Sequence, residues 1–552
     1  MLWNRTWLLL VGIFLAFNLL LLNHDISLWD DDEAAYAGFG QQMLASGDWV
    51  NPHYQWADIH RKPPLHFWTV AISFGIFGVN EFALRLPSVL AAWLTCASLW
   101  WFGDRLFGED RAAWAATILA SSFVIPIFGK VALTDATLLL LQTTAVLGLL
   151  NYVHEPHFRW NLLLWTSVAL GVLAKGPPIV ILIGGLWAWL LIFHPQRRNL
   201  IGTHPWLFLP LALLPLGTWM YLSWLRDDGR LLTFLYEWYV VRRIGGSVLG
   251  QTGPPGYHLV VLLISFAPWM PFLGMALGER IRAWRQPWSP NEIALAGWMV
   301  FGWLFFELMS SKSPSYALAA QPAWALAIAP QLCRRVPLFP RAFKAAIVLQ
   351  AVVCLGILGA VSAFAYWLMG VQSLWSVAML LVVAATTGSY MVRHLWQSHR
   401  LGGISSAVFA MSVVTMMMAV VAWVVEPSPL KAIHPMVETA SHWAKESRTI
   451  PVYYTDLHSR QKRRSLPVYL SRHFQSHQQV TPDSAVERYL SPAPALFIIG
   501  TGSEEFFNAL TLRHEGIPPQ RLQRIEWIAA SPRLRSHPFW RSHPFWLLRN
   551  FD

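Results

Sequence analysis

The sequence predicts a mainly α, polytopic membrane helical bundle followed by a small soluble α/β domain. Three observations predict it. Of the 552 residues, 55% are hydrophobic and only 13% are charged, with a mean hydropathy of +0.40. Apolar runs recur from Trp7 to Val425 at close to the ~20 residues that cross hydrocarbon as a helix. At Pro427 the composition shifts to a polar, proline-containing tail. The expected division is therefore a membrane domain over 1–426 and a soluble domain over 427–552. The net charge of +11 sits in connectors and tail beside long apolar runs. That placement suits acidic lipid headgroups, and no nucleic-acid partner is expected.

Thirteen spans are expected, at about 7–23, 84–102, 112–128, 131–151, 161–174, 177–194, 206–225, 257–277, 291–309, 315–331, 345–367, 373–392 and 403–425. The first reads as an uncleaved anchor, because no small-x-small cleavage signature precedes the acidic loop that follows it. Leu65–Phe77 is apolar too, but it is short and broken by Gly75, so it is assigned to an interfacial or re-entrant helix. The aromatic richness fits interfacial belts and carries no functional weight. Cys96, Cys333 and Cys354 lie in or beside apolar segments and match neither a zinc motif nor a disulfide framework.

Basic residues set the orientation. With the N-terminus in the cytoplasm, the inner connectors carry Arg105/Arg111, Arg159, Arg197/Arg198, Arg280/Arg282/Arg285, Arg334/Arg335/Arg341/Lys344 and Arg393/Arg400. The short outer turns carry only Lys130, Lys175 and Lys312. That asymmetry is the positive-inside rule, and it puts the tail outside. Two long outer loops depart from it: 24–83, and 226–256 with Arg226, Arg230, Arg242 and Arg243. Cations retained on the disfavoured side point to anion binding. In the tail, Pro451–Tyr454 and Ala495–Ile499 read as strands between helical patterns. Gly500-Thr501-Gly502 is an incomplete nucleotide fingerprint. The tandem Arg-Ser-His-Pro-Phe-Trp at 535–540 and 541–546 suggests nothing firmer than an aromatic anchor at the membrane surface.

The chemistry-bearing residues fall on the outer side. Asp30-Asp31-Asp32-Glu33 follow the first span, and four adjacent acids are costly to ionise together unless they serve a site. Arg61-Lys62, locked by Pro63-Pro64, offers an anion clamp. Asp135 lies one turn into a span that starts at the outer face, where a carboxylate needs a partner or a wet cavity. The bland reading pairs it with Lys130; the functional one turns it toward the cavity of the acidic loop. Lys175-Gly176-Pro177-Pro178 and Ser310 to Tyr316, with Lys312, are further outer turns able to donate to phosphate. His24, His53, His60, His66 and His258, with Asp58 and Glu33, keep a divalent metal open, although no ligand spacing stands out.

Asp32-Glu33-x-x-Tyr36, Met43-Leu44-x-x-Gly47-Asp48-Trp49-Val50-x-Pro52 and Lys62-Pro63-Pro64-Leu65-x-x-Trp68 resemble the membrane GT-C glycosyltransferases related to protein O-mannosyltransferases. The chain is similar, more narrowly, to the lipid A 4-amino-4-deoxy-L-arabinose transferases. The resemblance extends over Thr134-Asp135, Lys175-Gly176-Pro177, Lys312-x-Pro314-x-Tyr316 and the tail. It implies a GT-C bundle in the bacterial inner membrane with its site on the periplasmic side. It implies transfer of aminoarabinose from undecaprenyl phosphate to a phosphate of lipid A, and hence polymyxin resistance. The resemblance makes Asp32 and Asp135 the catalytic candidates, with no cofactor certain. Lys62, Arg242, Arg243, Lys312 and Tyr316 are the candidates for the donor phosphate, and Glu33, Tyr36, Arg61 and Lys175 for the substrate cavity. A transferase of another polyprenyl-linked sugar, or a flippase for such lipids, would use the same outer cavity.

Overall fold

The structure is a computed structural model that describes residues 2–20, 26–29, 32–54, 62–237, 241, 253–309, 312–334, 338–369, isolated positions between 378 and 393, 399–420, 433–445, 447–455, 465–491, 493–499, 506–507 and 546–549. Helix α1 (Leu2–Leu19) opens the bundle. The Trp7 indole donates to the Thr117 hydroxyl at 3.0 Å. Asn18 Nδ2 donates to Thr415 Oγ1 at 3.0 Å, which ties α1 to the late apolar helix His399–Val420. Two helices lie in the first polar loop, α2 (Asp32–Ser46) and α3 (Leu65–Phe77). Helix α4 (Glu81–Phe107) starts where the Asn80 side chain accepts from the Ala83 amide and stops at Gly108, φ 86°, a left-handed position that glycine fills without strain.

Helices α5 (Glu109–Ala120) and α6 (Val124–Lys130) form one path bent by 56°. The bend falls at Ser121-Ser122, whose hydroxyls turn back onto the Thr117 and Leu119 carbonyls and compete with the helical ladder. Helices α7 (Thr134–His154) and α8 (Phe158–Lys175) are an antiparallel pair at the centre of the bundle. They meet closely at Gly148, where a Cβ would come within 2.9 Å of the Leu164 amide. Helix α9 (Pro178–Phe193) follows the Gly176-Pro177 turn, and α10 (Pro205–Asp227) stands at the edge, mostly exposed along its apolar length.

By length and composition, five helices among the described residues cross a membrane, and seven if each bent pair counts as one span. The other bent pair is Tyr257–Ser265 with Met270–Arg282, at 117°. Several expected spans are helical but short or interrupted. The expected 291–309 is an α-helix (Pro290–Met299) running into a π turn, and 315–331 begins as a 3-10 helix. The expected span 373–392 lies largely outside the described residues. The coarse class is thus a polytopic helical bundle with a strand-containing domain after it.

Among the described residues that domain holds four strands, β1 (Val452–Tyr454), β2 (His477–Gln479), β3 (Leu496–Ile499) and β4 (Trp546–Arg549). Their order is β2-β1-β3-β4, with β1 parallel to β2 and β3, and β4 antiparallel to β3. The expected strands at 451–454 and 495–499 are β1 and β3. The second copy of the tandem motif ends on β4, whose Trp546 backbone pairs with Ile499, so this end of the motif belongs to a sheet instead of a membrane anchor. Gly500-Thr501-Gly502 lies outside the described residues. Alternate residues face opposite ways along a strand. Tyr454, Leu496, Ile498 and Leu547 therefore join one core, and Phe497, Ile499 and Leu548 join another with Val486 and Tyr489.

The first of these cores crosses the expected domain boundary. It contains Tyr36, Phe39 and Met43 of α2 and Phe67, Val70 and Phe74 of α3, packed with Met436, Val437, Leu466, Tyr469 and Leu470. The first polar loop and the tail are one apolar unit on the same end of the bundle. The bundle core, built on α1 and α4 to α9, is a separate cluster.

Candidate active site

Asp32 and Glu33 form the first turn of α2, where the helix dipole favours anions. Asp32 is exposed and Glu33 is buried. Glu33 is fully engaged: Oε1 accepts from Arg85 Nε at 2.9 Å and from the Ala132 amide at 2.9 Å. Its Oε2 accepts from Arg85 Nη2 at 3.0 Å and from the Trp29 amide at 2.8 Å. Burial would raise this carboxyl, but the Arg85 guanidinium and the two amides outweigh it and hold it below its ordinary range. Arg85 also donates to the Ile26 and Ser27 carbonyls at 2.6 and 3.1 Å. A side chain 1% exposed with these partners faces the protein interior and not an open cavity. Glu33 ties the start of α2 to α4 through Arg85 and to the chain before α7 through Ala132.

Asp135 sits in the first turn of α7, and Lys175 is the last residue of α8. Because the two helices run antiparallel through a short connection, those ends meet. Lys175 Nζ lies 2.6 Å from Asp135 Oδ1, with side chains 13% and 11% exposed. Lys130, the partner in the bland reading, is buried on the Arg85 side; the antiparallel hairpin delivers Lys175 instead. Lys62 is half-buried and close enough to act electrostatically on Asp135, and the Ser315 hydroxyl is near enough to act on it too. Thus Asp135, Lys175, Lys62 and Ser315 come together. Glu33, next to Asp32 in sequence, bonds Ala132, three residues before Asp135, so both expected carboxylates belong to this end.

Lys312 is placed differently from the expectation. It is 6% exposed, its Nζ is 3.1 Å from Glu307 Oε1, and it also donates to the Glu307 carbonyl. The Glu307 carboxylate further accepts from the Gly256 and His258 amides at 2.8 and 3.1 Å and contacts His258 Nδ1 at 2.9 Å. His258 Nε2 lies 3.0 Å from the Ser313 carbonyl. The Lys312 charge is spent on Glu307, and the cluster pins the start of the helix Tyr257–Ser265 to the Ser313–Tyr316 turn. The Tyr316 ring rests on His258 and Phe306 at 6.1 and 5.5 Å. Tyr36 is an interior wall residue against His66 and Phe67. Arg61, Arg242 and Arg243 lie outside the described residues.

Among the described residues no group of three or more His, Cys, Asp and Glu could hold a metal. Of the metal candidates, His24, Asp58 and His60 lie outside the described residues and His53 is exposed. His66 is buried with neither ring nitrogen hydrogen-bonded, and His258 is committed to Glu307 and Ser313. Residues that motif reading passed over are Arg85, Glu307 and the interdomain pair Glu81 and Arg472. Arg85 had a signal, as a cation about one turn into a mostly apolar helix needs a buried partner.

The family model for dolichyl-phosphate-mannose-protein mannosyltransferases matches residues 61–222. That stretch holds Lys62, Asp135 and Lys175 and stops short of Asp32 and Lys312. An undecaprenyl phosphate-alpha-4-amino-4-deoxy-L-arabinose arabinosyl transferase of Pseudomonas paraeruginosa is 30% identical over 346 residues, 60% of each chain. Its counterpart from Edwardsiella ictaluri is 28% identical over 330 residues, 56% of each chain. The match thus spans about 60% of the length of these curated relatives. The crystal structure of ArnT from Cupriavidus metallidurans bound to undecaprenyl phosphate superposes with a TM-score of 0.72 at 19% identity, over 99% of this chain and 98% of that one. The chain therefore has the GT-C fold and closely resembles the ArnT-type transferases.

Proposed function

We propose that this protein transfers 4-amino-4-deoxy-L-arabinose from undecaprenyl phosphate to a phosphate of lipid A, at the periplasmic face of the bacterial inner membrane. The observation that carries the reading is the gathering of Asp135, Lys175, Lys62 and Ser315 at the end of an ArnT-like bundle where α2 presents Asp32. In the reaction the bond between the sugar's anomeric carbon and the undecaprenyl phosphate oxygen breaks. A lipid A phosphate oxygen forms the new bond, and undecaprenyl phosphate leaves as an anion. Lys62 meets that developing charge, assisted by Arg242 and Arg243. Fixed cations are effective there because the lipid-flanked site is poorly screened. The acceptor phosphate is already ionised, so Asp32 has no proton to remove. It orients the acceptor or holds the sugar's amine. Lys175 keeps Asp135 charged and in place.

The finer topology belongs to the same reading: thirteen spans, a cytoplasmic N-terminus, and the region from 427 onward outside. The packing of the tail against the first loop supports placing both on one side. Mass spectrometry of lipid A from cells with and without the protein tests the reading. An aminopentose increment that appears only with the protein is expected, and its absence overturns the assignment. The mannosyltransferase model over 61–222 favours one second reading, transfer of another polyprenyl-linked sugar. A hexose increment on lipid or protein would select it.

A further inference from the structure

The segment leading to Asp32 is held from two sides. From the bundle, Arg85 binds the Ile26 and Ser27 carbonyls. From the tail, the helix Ser465–His473 reaches over with Tyr469, whose hydroxyl accepts from the Leu28 amide at 2.7 Å. Tyr469 is 1% exposed, and its hydroxyl is close enough to act on the Glu81 carboxylate. Four residues before Arg85, Glu81 takes Arg472 Nη1 at 2.8 Å, the pair being 13% and 16% exposed. The Arg472 guanidinium lies over the Tyr469 ring at 4.9 Å. The same helix packs on α2, which begins with Asp32.

We propose that Tyr469 and Arg472 are positioning residues for Asp32: the tail domain closes the active-site loop from above while Arg85 closes it from below. The proposal rests on the reading of Asp32 as an active-site carboxylate. The physical reason is that α2 takes its apolar packing from the tail and its polar anchor from the bundle. Asp32 lies on the seam, so the angle between the two units sets where its carboxylate points. A small rotation of α2 displaces a reacting group enough to slow a step that depends on alignment. Binding of the lipid phosphate at Lys62 does not pass through this contact.

The test uses the full chain in detergent with undecaprenyl phosphate-linked aminoarabinose and lipid A. Tyr469→Phe removes one oxygen and keeps the ring. Arg472→Met keeps the stem and drops the charge. Each should lower kcat about tenfold, the scale of one lost buried hydrogen bond, with donor KM within about twofold of wild type. Amides of Ile26–Trp29 should exchange faster in both variants. Combining Arg472→Glu with Glu81→Arg should restore turnover that either alone loses. Unchanged exchange and wild-type kcat in Tyr469→Phe and Arg472→Met would overturn the proposal. So would a loss of activity that follows the melting temperature alone and is not recovered by the swap. If the wild-type chain transfers nothing, the functional reading has failed, and amide exchange at Ile26–Trp29 still decides the latch.

Discussion

Replacing Lys175 by Met keeps the side-chain length and removes the ammonium that Asp135 accepts from at 2.6 Å. At 13% and 11% exposure, water cannot take its place. Stripping one partner from a buried ion pair costs about 3–5 kcal/mol, because the survivor is left buried and unpaired. Lys62 and Ser315 still support Asp135, which puts Lys175→Met at the lower end, about 3 kcal/mol. The reverse change, Asp135→Asn, is milder. Lys175 ends α8 and can swing its ammonium toward water, so about 1 kcal/mol is expected. The double variant carries no stranded charge and should also lose only about 1 kcal/mol. The cycle then returns a coupling of about 3 kcal/mol. Chemical unfolding of the four proteins in one detergent measures it. Additive losses, or a Lys175→Met protein that unfolds like wild type, would show that Asp135 does not depend on Lys175.

Asp32→Asn and Lys62→Ala should each abolish aminopentose transfer at normal membrane levels; wild-type lipid A modification by either variant would remove that residue from the mechanism. Glu307→Gln should cost about 2 kcal/mol, as it weakens four contacts at once, and an unchanged unfolding midpoint would refute the anchoring role. His66 is pushed down to about 4 from 6.5 by burial, with Ala132, Asp135 and Glu33 only partly opposing. Between those values the unfolded chain binds the extra proton, so stability should fall as pH drops from about 6.5 toward 4. His66→Phe should flatten that slope in melts taken across the window, and an unaltered slope would assign it to another group. A reporter that is active only in the cytoplasm, fused after Asp552, should be silent; activity would invert the proposed topology.

The pattern of apolar runs made the bundle legible, and short β-like apolar runs in the tail made β1 and β3 legible. What the pattern could not supply was partnership across distance. For Asp135 the bland reading offered Lys130, the lysine nearest in sequence, and nothing in the sequence singled out Lys175 as its partner. The decisive fact is that α7 and α8 fold back around 155–157, so residue 135 returns to face residue 175. Lys312 was read as a free cation because Glu307 sits five residues away on the far side of a break in the helix. β2 and β4 are three and four residues long, and β2 carries no apolar residue at all, so neither had a signature. The boundary expected at 427 follows composition alone, and composition is blind to the packing of α2 and α3 with chain that lies beyond it.

The two clamps on the segment before Asp32 differ in when they can form. Arg85 is 52 residues from Glu33, while Tyr469 is 441 residues from Leu28. At synthesis rates of about 5–20 residues per second, the first clamp is available within about 3–10 s and the second only after about 20–90 s. During that interval α2 and α3 can pack on each other through Tyr36, Phe39 and Phe67, but the tail residues that complete their core have not yet been made. The nascent protein therefore passes through a stage with a finished apolar bundle and an incomplete core around the first polar loop. Chains stalled or released before the tail is made would stop at that stage, leaving the apolar face of α2 and α3 that the tail covers exposed to quality-control proteases.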